Sequence, residues 1–449
     1  MALDFSGQNL RGRNFKGQDL AGANFSYADI RGANFTNANL KGANFSHAKA
    51  GLQRRWAIFL VLVSWLSSGL SGSLWFVDGY FVLAILNAFA RYSIIGCIVL
   101  ILLIAYFIFT IRQGVGTNLG LVAFGIAFAA AFAAAVVAGA GAFAAFAFAV
   151  AFVLAFVLTV VAGGFAVAGG FAVAGGFAVA TALVAGALAF PVAVIFAVGF
   201  VDNETFGFAV FIVMITAIAI AISIPGTLLS IYITWQAMKG NEEYFLIRNL
   251  AIAFAATGGT SFRGADLTKA DFTQATLKST DLRNTILICS RWHQAKMLDR
   301  VRPGSTYLQN SQVRELLVTG QGQEKNFDRQ NLRGINLQAA NLADTNFIGT
   351  DLSEANLQDA DLSRAKLKQT QLDGTDLTGA TLTGAYIENW GITNTTKLHG
   401  VRCEYVFMRL PTKEDPDPLR KPNNKQEVFA DGEFADFIKP IFDTLDLLP

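Results

Sequence analysis

Large apolar residues recur every five positions at the start of the chain, at Phe5, Leu10, Phe15, Leu20, Phe25, Ile30, Phe35, Leu40 and Phe45. From Phe25 onward an alanine stands two before each of them, at Ala23, Ala28, Ala33, Ala38 and Ala43. A step of five rotates successive side chains by ~140° on an α-helix and flips them to opposite faces of a strand, so neither element gathers them on one side. The chain must bend once per repeat. If four such segments close a square coil, every large apolar residue and its alanine point to the axis. Gly7, Gly12, Gly17, Gly22, Gly32 and Gly42 then fall at corners, where a type II turn needs positive φ. Asn9, Asn14, Asp19, Asn24, Asp29 and Asn34, each directly before an apolar residue, are placed to hydrogen-bond the local backbone. Phe alternates with Leu or Ile, so residues twenty apart match, Phe5 with Phe25 and Phe45, and like is expected to stack on like.

The beat stops at Arg54 and Arg55 and restarts with Phe262, Leu267, Phe272, Leu277 and Leu282. It breaks again from Ile288 to Asn326, where Asn310 or Ser311 can cap a short helix that Gly320 closes. It then runs from Phe327 through Leu332, Leu337, Leu342 and Phe347 to Leu382. A strand-like CEYVFMRL and an amphipathic GEFADFIKPIFDTLDLL follow in the tail. The expected organisation is an N-terminal array (1–50), a transmembrane block of about six helices (51–240), a repeat array (257–287), an insertion with a short helix (288–326), a repeat array (327–387) and a capping tail (388–449). Exposed coil ends need caps, and the insertion and tail are the candidates.

The segment between the first two arrays is apolar. Trp56 to Val77 and Ser93 to Ile111 are each long enough to span ~30 Å of hydrocarbon, and no charged residue occurs from Gln113 to Val201. Three copies of GGFAVA fit no helical period, so a buried β-helical continuation is a competing reading there. Arg54, Arg55 and Arg112 are expected on the cytoplasmic side, with Asp78 and Asp202 outside. Both repeat regions then face the cytoplasm, and the N-terminal array is expected to stack on the coil starting near Ser261. Since MALDFSG runs directly into the first pentad, no cleaved leader is expected.

Composition agrees with a membrane reading: 53% of residues are hydrophobic and 15% charged, with mean hydropathy +0.43. A net charge of +2 argues against nucleic acid as a partner. Cys97, Cys289 and Cys403 lie in separate regions without CxxC spacing, and His47, His293 and His399 are as scattered, so no disulfide framework, metal site or cofactor is expected. Arg91 is the one ionisable residue in a broad apolar run and reads as the end of an interfacial helix. Asp266, Asp271, Asp281, Asp351, Asp361 and Asp376 each occupy the slot before an apolar centre, which assigns them to turn chemistry and not to catalysis. There is no GxxxxGK[ST], HExxH or GxSxG motif, and no catalytic residue is assigned.

The Ala-Asn/Asp-Phe/Leu grammar resembles the pentapeptide-repeat family. The resemblance implies a right-handed, quadrilateral β-helix, here combined with a polytopic α-helical transmembrane block. With its VRELL insertion and GEF tail the chain is similar to cyanobacterial membrane pentapeptide-repeat proteins, the heterocyst glycolipid localisation protein group among them. The expected function is a membrane-anchored, non-enzymatic scaffold that docks a protein on its β-helix faces at the cytoplasmic side of a plasma or thylakoid membrane, in contact with lipids. The alternative implied by the resemblance is a component of lipid or glycolipid export or localisation. A DNA-mimic gyrase binder is a minor alternative. Residues 327–387 hold eight acids against five bases, and the chain through Arg55 holds eight bases against three acids, which is too balanced or too basic for a duplex mimic.

Overall fold

The structure is a computed structural model that describes residues 3–59, 232, 235–236, 245–413, 415 and 418–438. The chain divides into two units, one formed by residues 1–53 with 256–449 and the other by residues 54–255.

The first unit is a coil of short parallel rungs. In each pentad the residue before the apolar centre bridges to its equivalent twenty residues on, Asp4 to Asn24 and Asn24 to Asn44. At Asn34 the ladder jumps in sequence: Asn34 pairs with Ser261, Asn39 with Asp266, Asn44 with Asp271 and Lys49 with Thr276. The N-terminal array therefore stacks on the coil that starts at Ser261, as the sequence predicts, and the two arrays share one hydrogen-bonded ladder. Phe35 N donates to Ser261 O at 2.7 Å and Phe45 N to Asp271 O at 2.7 Å, distances indistinguishable from those within the first array.

The corners form as the pattern requires. Gly7 and Gly22 adopt φ 66° and 68°, and Gln8 N closes the first turn on Phe5 O at 3.2 Å. The same left-handed corner is held by Tyr27, Asn37 and His47 at φ 57° to 59°, where the hydrogen-bonded ladder on both sides of the corner outweighs a local cost of about 1–2 kcal/mol. Asn24 Oδ1 accepts from Ser26 N at 3.0 Å, and its counterparts repeat that bond along the chain. This bond occupies the amide that the bend would leave without a partner.

Inside the coil the large residues form columns. Phe25, Phe35, Phe45, Phe262 and Phe272 are fully buried. Phe5, Phe25, Phe45 and Phe272 stack at 4.9–5.0 Å, and Trp292 ends the column 4.6 Å above Phe272. Where threonine replaces alanine beside the core, its hydroxyl is satisfied by the coil before it: Thr350 Oγ1 donates to Phe327 O at 2.7 Å and Thr375 Oγ1 to Leu352 O at 2.8 Å.

The ladder runs further than the expected array ends. The first stack continues through Arg291, Lys296 and Arg302, and the second begins at Gln321 and continues to Phe407. The segment left between them carries two short 3-10 turns, Leu298–Arg300 and Tyr307–Gln309, and a helix α2, Ser311–Thr319. Asn310 caps α2 by accepting from Gln312 N, and Gly320 closes it at φ 71°. This segment splices two stacks and does not cap one. The tail covers the last coil: β1, Val406–Phe407, lies parallel to Tyr386 and antiparallel to β2, Arg420–Lys421. Phe434 and Ile438 are buried beneath Phe429 and Phe437.

The expected transmembrane block, 51–240, lies almost wholly outside the described residues. The described helix between the arrays, α1, Phe245–Thr257, has 13 residues, about 20 Å at 1.5 Å per residue, short of ~30 Å of hydrocarbon. Among the described residues no helix is long and apolar enough to cross a membrane. This corrects the expected fold class, which reduces to the β-helix without a polytopic α-helical block. The expectation of an integral membrane protein is corrected with it.

Candidate binding cleft

The repeated carboxylates are bound to their own turns. Asp266, Asp271 and Asp281 accept from Thr268 N at 3.0 Å, Thr273 N at 2.8 Å and Arg283 N at 3.1 Å. Asp351, Asp361 and Asp376 accept from Ser353 N at 2.9 Å, Ser363 N at 3.0 Å and Thr378 N at 3.1 Å. Burial raises the Asp266 and Asp376 carboxyls, but hydrogen bonds from Thr268 and Thr378 outweigh it and leave both below the ordinary carboxylate value. Neither Asp266 nor Asp376 is held in the protonated state that a general acid requires.

The other singled-out side chains are equally dispersed. Cys289 is half-buried, with Sγ 3.4 Å from Glu354 O, and Cys403 is buried; both are free thiols. Burial pushes the Cys289 thiol up and the Cys403 thiol up to about 12, far from a reactive thiolate. His47 stacks on Tyr27 at 4.4 Å, His399 is exposed on a corner, and His293 lies at the splice between the stacks. Among the described residues no His, Cys, Asp and Glu cluster could hold a metal. Cys97 and Arg91 lie outside the described residues.

Among the described residues the splice between the stacks forms a concave feature. Between the corners at Cys289 and Gln294 the stacks separate like a wedge. At one corner they touch: Cys289 N donates to Gly334 O at 2.6 Å. Five residues on, Gln294 N instead reaches Val318 O at 2.8 Å, while Gly320 O accepts from Asn341 N at 2.8 Å, so the end of α2 has entered between the stacks. The gap therefore widens along this face from one rung spacing of ~4.8 Å to about two. It encloses a cleft of ≈510 Å³.

The walls are two rungs that would be ladder neighbours. One carries Arg291, Trp292 and His293, the other Asn336, Leu337 and Gln338. On their outer sides both pair normally, Phe272 N to Arg291 O at 2.9 Å and Leu337 N to Asn356 O at 2.8 Å. Across the cleft the Trp292 and Asn336 amides and the Asn336 and Gln338 carbonyls take no hydrogen bond among the described residues. Only side chains cross: Arg291 donates to Gln338 Oε1 at 2.8 Å and Asn336 Nδ2 to Cys289 O at 3.0 Å. Leu316, Leu317, Leu337 and Ala340 supply the apolar lining, and no carboxylate lines the cleft.

The sequence places His293 without a role and marks 288–326 as an interruption, but Arg291 and Gln338 carry no signal of their own. The visible hint is Trp292, which stands where the beat calls for Phe.

The family description "Pentapeptide repeats" matches residues 3–37, 19–50, 255–287, 326–359 and 355–389, in eight copies. Solved structures are similar at low identity. A pentapeptide repeat protein from the Arabidopsis thaliana thylakoid lumen is 26% identical, over 31% of this chain and 65% of that one, with a TM-score of 0.13. QnrB1, a plasmid-mediated fluoroquinolone resistance protein, is 15% identical over 32% of this chain and 80% of that one, with a TM-score of 0.17. HetL from the cyanobacterium Nostoc sp. strain PCC 7120, involved in heterocyst differentiation regulation, is 20% identical over 33% and 62%, with a TM-score of 0.12. This chain thus spans just under two thirds of the first and third of these relatives. No curated protein matches it. Over the matched segments the chain is similar to pentapeptide-repeat proteins.

Proposed function

We propose that this protein is a non-catalytic scaffold that docks a protein partner on the β-helix. The observation that carries the reading is the engagement of the repeated Asp and Asn side chains with their own turns. That chemistry builds a fixed, regularly spaced surface and leaves no set of convergent acids, bases or nucleophiles on it. Regular rungs with outward side chains suit recognition of an extended partner, as repeat stacks generally do. The cleft at Arg291 adds a concave point on that surface.

Crosslinking of the full chain in native extract, followed by mass spectrometry, tests this. The expected result is one partner recovered reproducibly through exposed lysines on the ladder, such as Lys41, Lys296 and Lys366, and displaced by excess purified chain. Recovery of no reproducible partner, or of crosslinks unaffected by that competition, overturns it.

A further inference from the structure

We infer that the cleft between the stacks captures the C-terminal residue of a partner polypeptide, an apolar side chain with a free carboxylate. The inference rests on the docking reading above and gives it a point of contact.

The geometry restricts what can enter. A through-running strand is excluded because the wedge closes at both ends, at Cys289 and Gly334 on one side and at Val318 to Gly320 on the other. A chain end fits where a strand does not. The two walls offer unpaired main-chain donors at Trp292 and Asn336 and acceptors at Asn336 and Gln338, the groups that pair with another peptide backbone in a ladder. The rim carries one cation: Arg291 stands on one wall and no carboxylate lines the cleft. Arg291 uses one N–H on Gln338 Oε1, which leaves its remaining donors for a carboxylate in the forked geometry that guanidinium favours. The floor is apolar at Leu316, Leu317, Leu337 and Ala340, which suits a terminal aliphatic side chain. At ≈510 Å³ the space matches one or two residues and not a folded surface.

The probe is a pool of fluorescein-labelled hexapeptides randomised at five positions and ending in Leu, made as the free acid and as the C-terminal amide. Fluorescence polarisation is read on the full chain. The acid pool is expected to bind at least tenfold tighter than the amide pool. Arg291→Gln should bring acid binding down to that of the amide, and Ala339→Trp, an exposed position on the lining, should abolish both. Circular dichroism of each variant shows that the coil is intact. Equal binding of acid and amide, binding by neither pool, or unchanged binding by Ala339→Trp overturns the inference. Those outcomes leave the scaffold standing if crosslinks to a partner persist, and loss of the crosslinks alone removes the scaffold and leaves the cleft.

Discussion

The rings of Phe45 and Phe272 stack 5.0 Å apart at 4° to one another, although the whole of 54–255 lies between them in sequence. That one pair joins the N-terminal array to the array beyond the insertion. The same junction carries Asn44 bridged to Asp271 and Phe35 stacked on Phe262 at 5.0 Å. Its stability is what makes the two arrays a single core.

Phe45→Ala and Phe272→Ala should each destabilise the coil by about 3–5 kcal/mol, since both rings are fully buried. The double variant should cost less than the sum, because each single change already removes the shared contact. Chemical denaturation checks this. Limited proteolysis of Phe45→Ala should cut residues 3–50 before residues 321–407.

The point where the chain leaves the stack is held by Thr260. Its buried hydroxyl accepts from Gly51 N at 2.8 Å and donates to Ile30 O at 2.8 Å. Thr260→Val should cost about 1–3 kcal/mol by leaving the buried Gly51 amide without a partner, while Ile30 O keeps its bond from Ala33 N. Gly51→Ala should be worse than Gly22→Ala. Gly51 has φ 119°, and a Cβ there would clash with the Lys278 carbonyl oxygen, whereas Gly22 at φ 68° has open space around it. Thermal melts of the three variants should rank accordingly.

Acid should loosen the first coils. Burial raises the Asp29 carboxyl, but hydrogen bonds from Arg31 and Arg11 outweigh it and hold it well below its ordinary value of 3.8. A carboxylate depressed in the folded state stabilises above its unfolded value and loses that contribution as pH falls towards its folded one. Stability should therefore drop as pH goes below about 4, with Asp344, depressed by Arg364, acting in the same direction. Asp29→Asn keeps the turn acceptor and loses only the ion pairs. With Arg11 and Arg31 partly exposed it should cost about 1 kcal/mol at neutral pH and flatten the acid slope. Urea titrations from pH 2 to 7 measure both effects.

The thiols should be protected. In the folded chain at pH 8, iodoacetamide should leave the peptides containing Cys289 and Cys403 unmodified for far longer than after denaturation, because burial raises both thiols. Peptide mass spectrometry gives each site separately. Rapid native modification of Cys403 would contradict its burial.

The five-residue period by itself determined much of the coil. A step of five leaves neither a helix nor a strand with one apolar face, so a bend per pentad is a steric consequence. The roles of Asn24, Asp266 and Gly7 followed from the same geometry, whereas the pairing near Ser261 was expected from placing both repeat regions on one side of a membrane and now rests on the ladder alone. The transmembrane expectation is corrected on a narrower ground: among the described residues no helix is long and apolar enough to cross a membrane, and most of the apolar segment lies outside them. What only the tertiary structure decided is where one stack stops and the next begins. Nothing local marks Cys289 as the last point of contact or Gln294 as the place where α2 intervenes, because both positions keep an ordinary corner conformation at φ 55° and 54°. The wedge, and with it the meeting of Arg291 and Gln338, arises from how residues 303–320 fold back between two ladders. That is a long-range packing outcome, which no residue pattern within a pentad encodes.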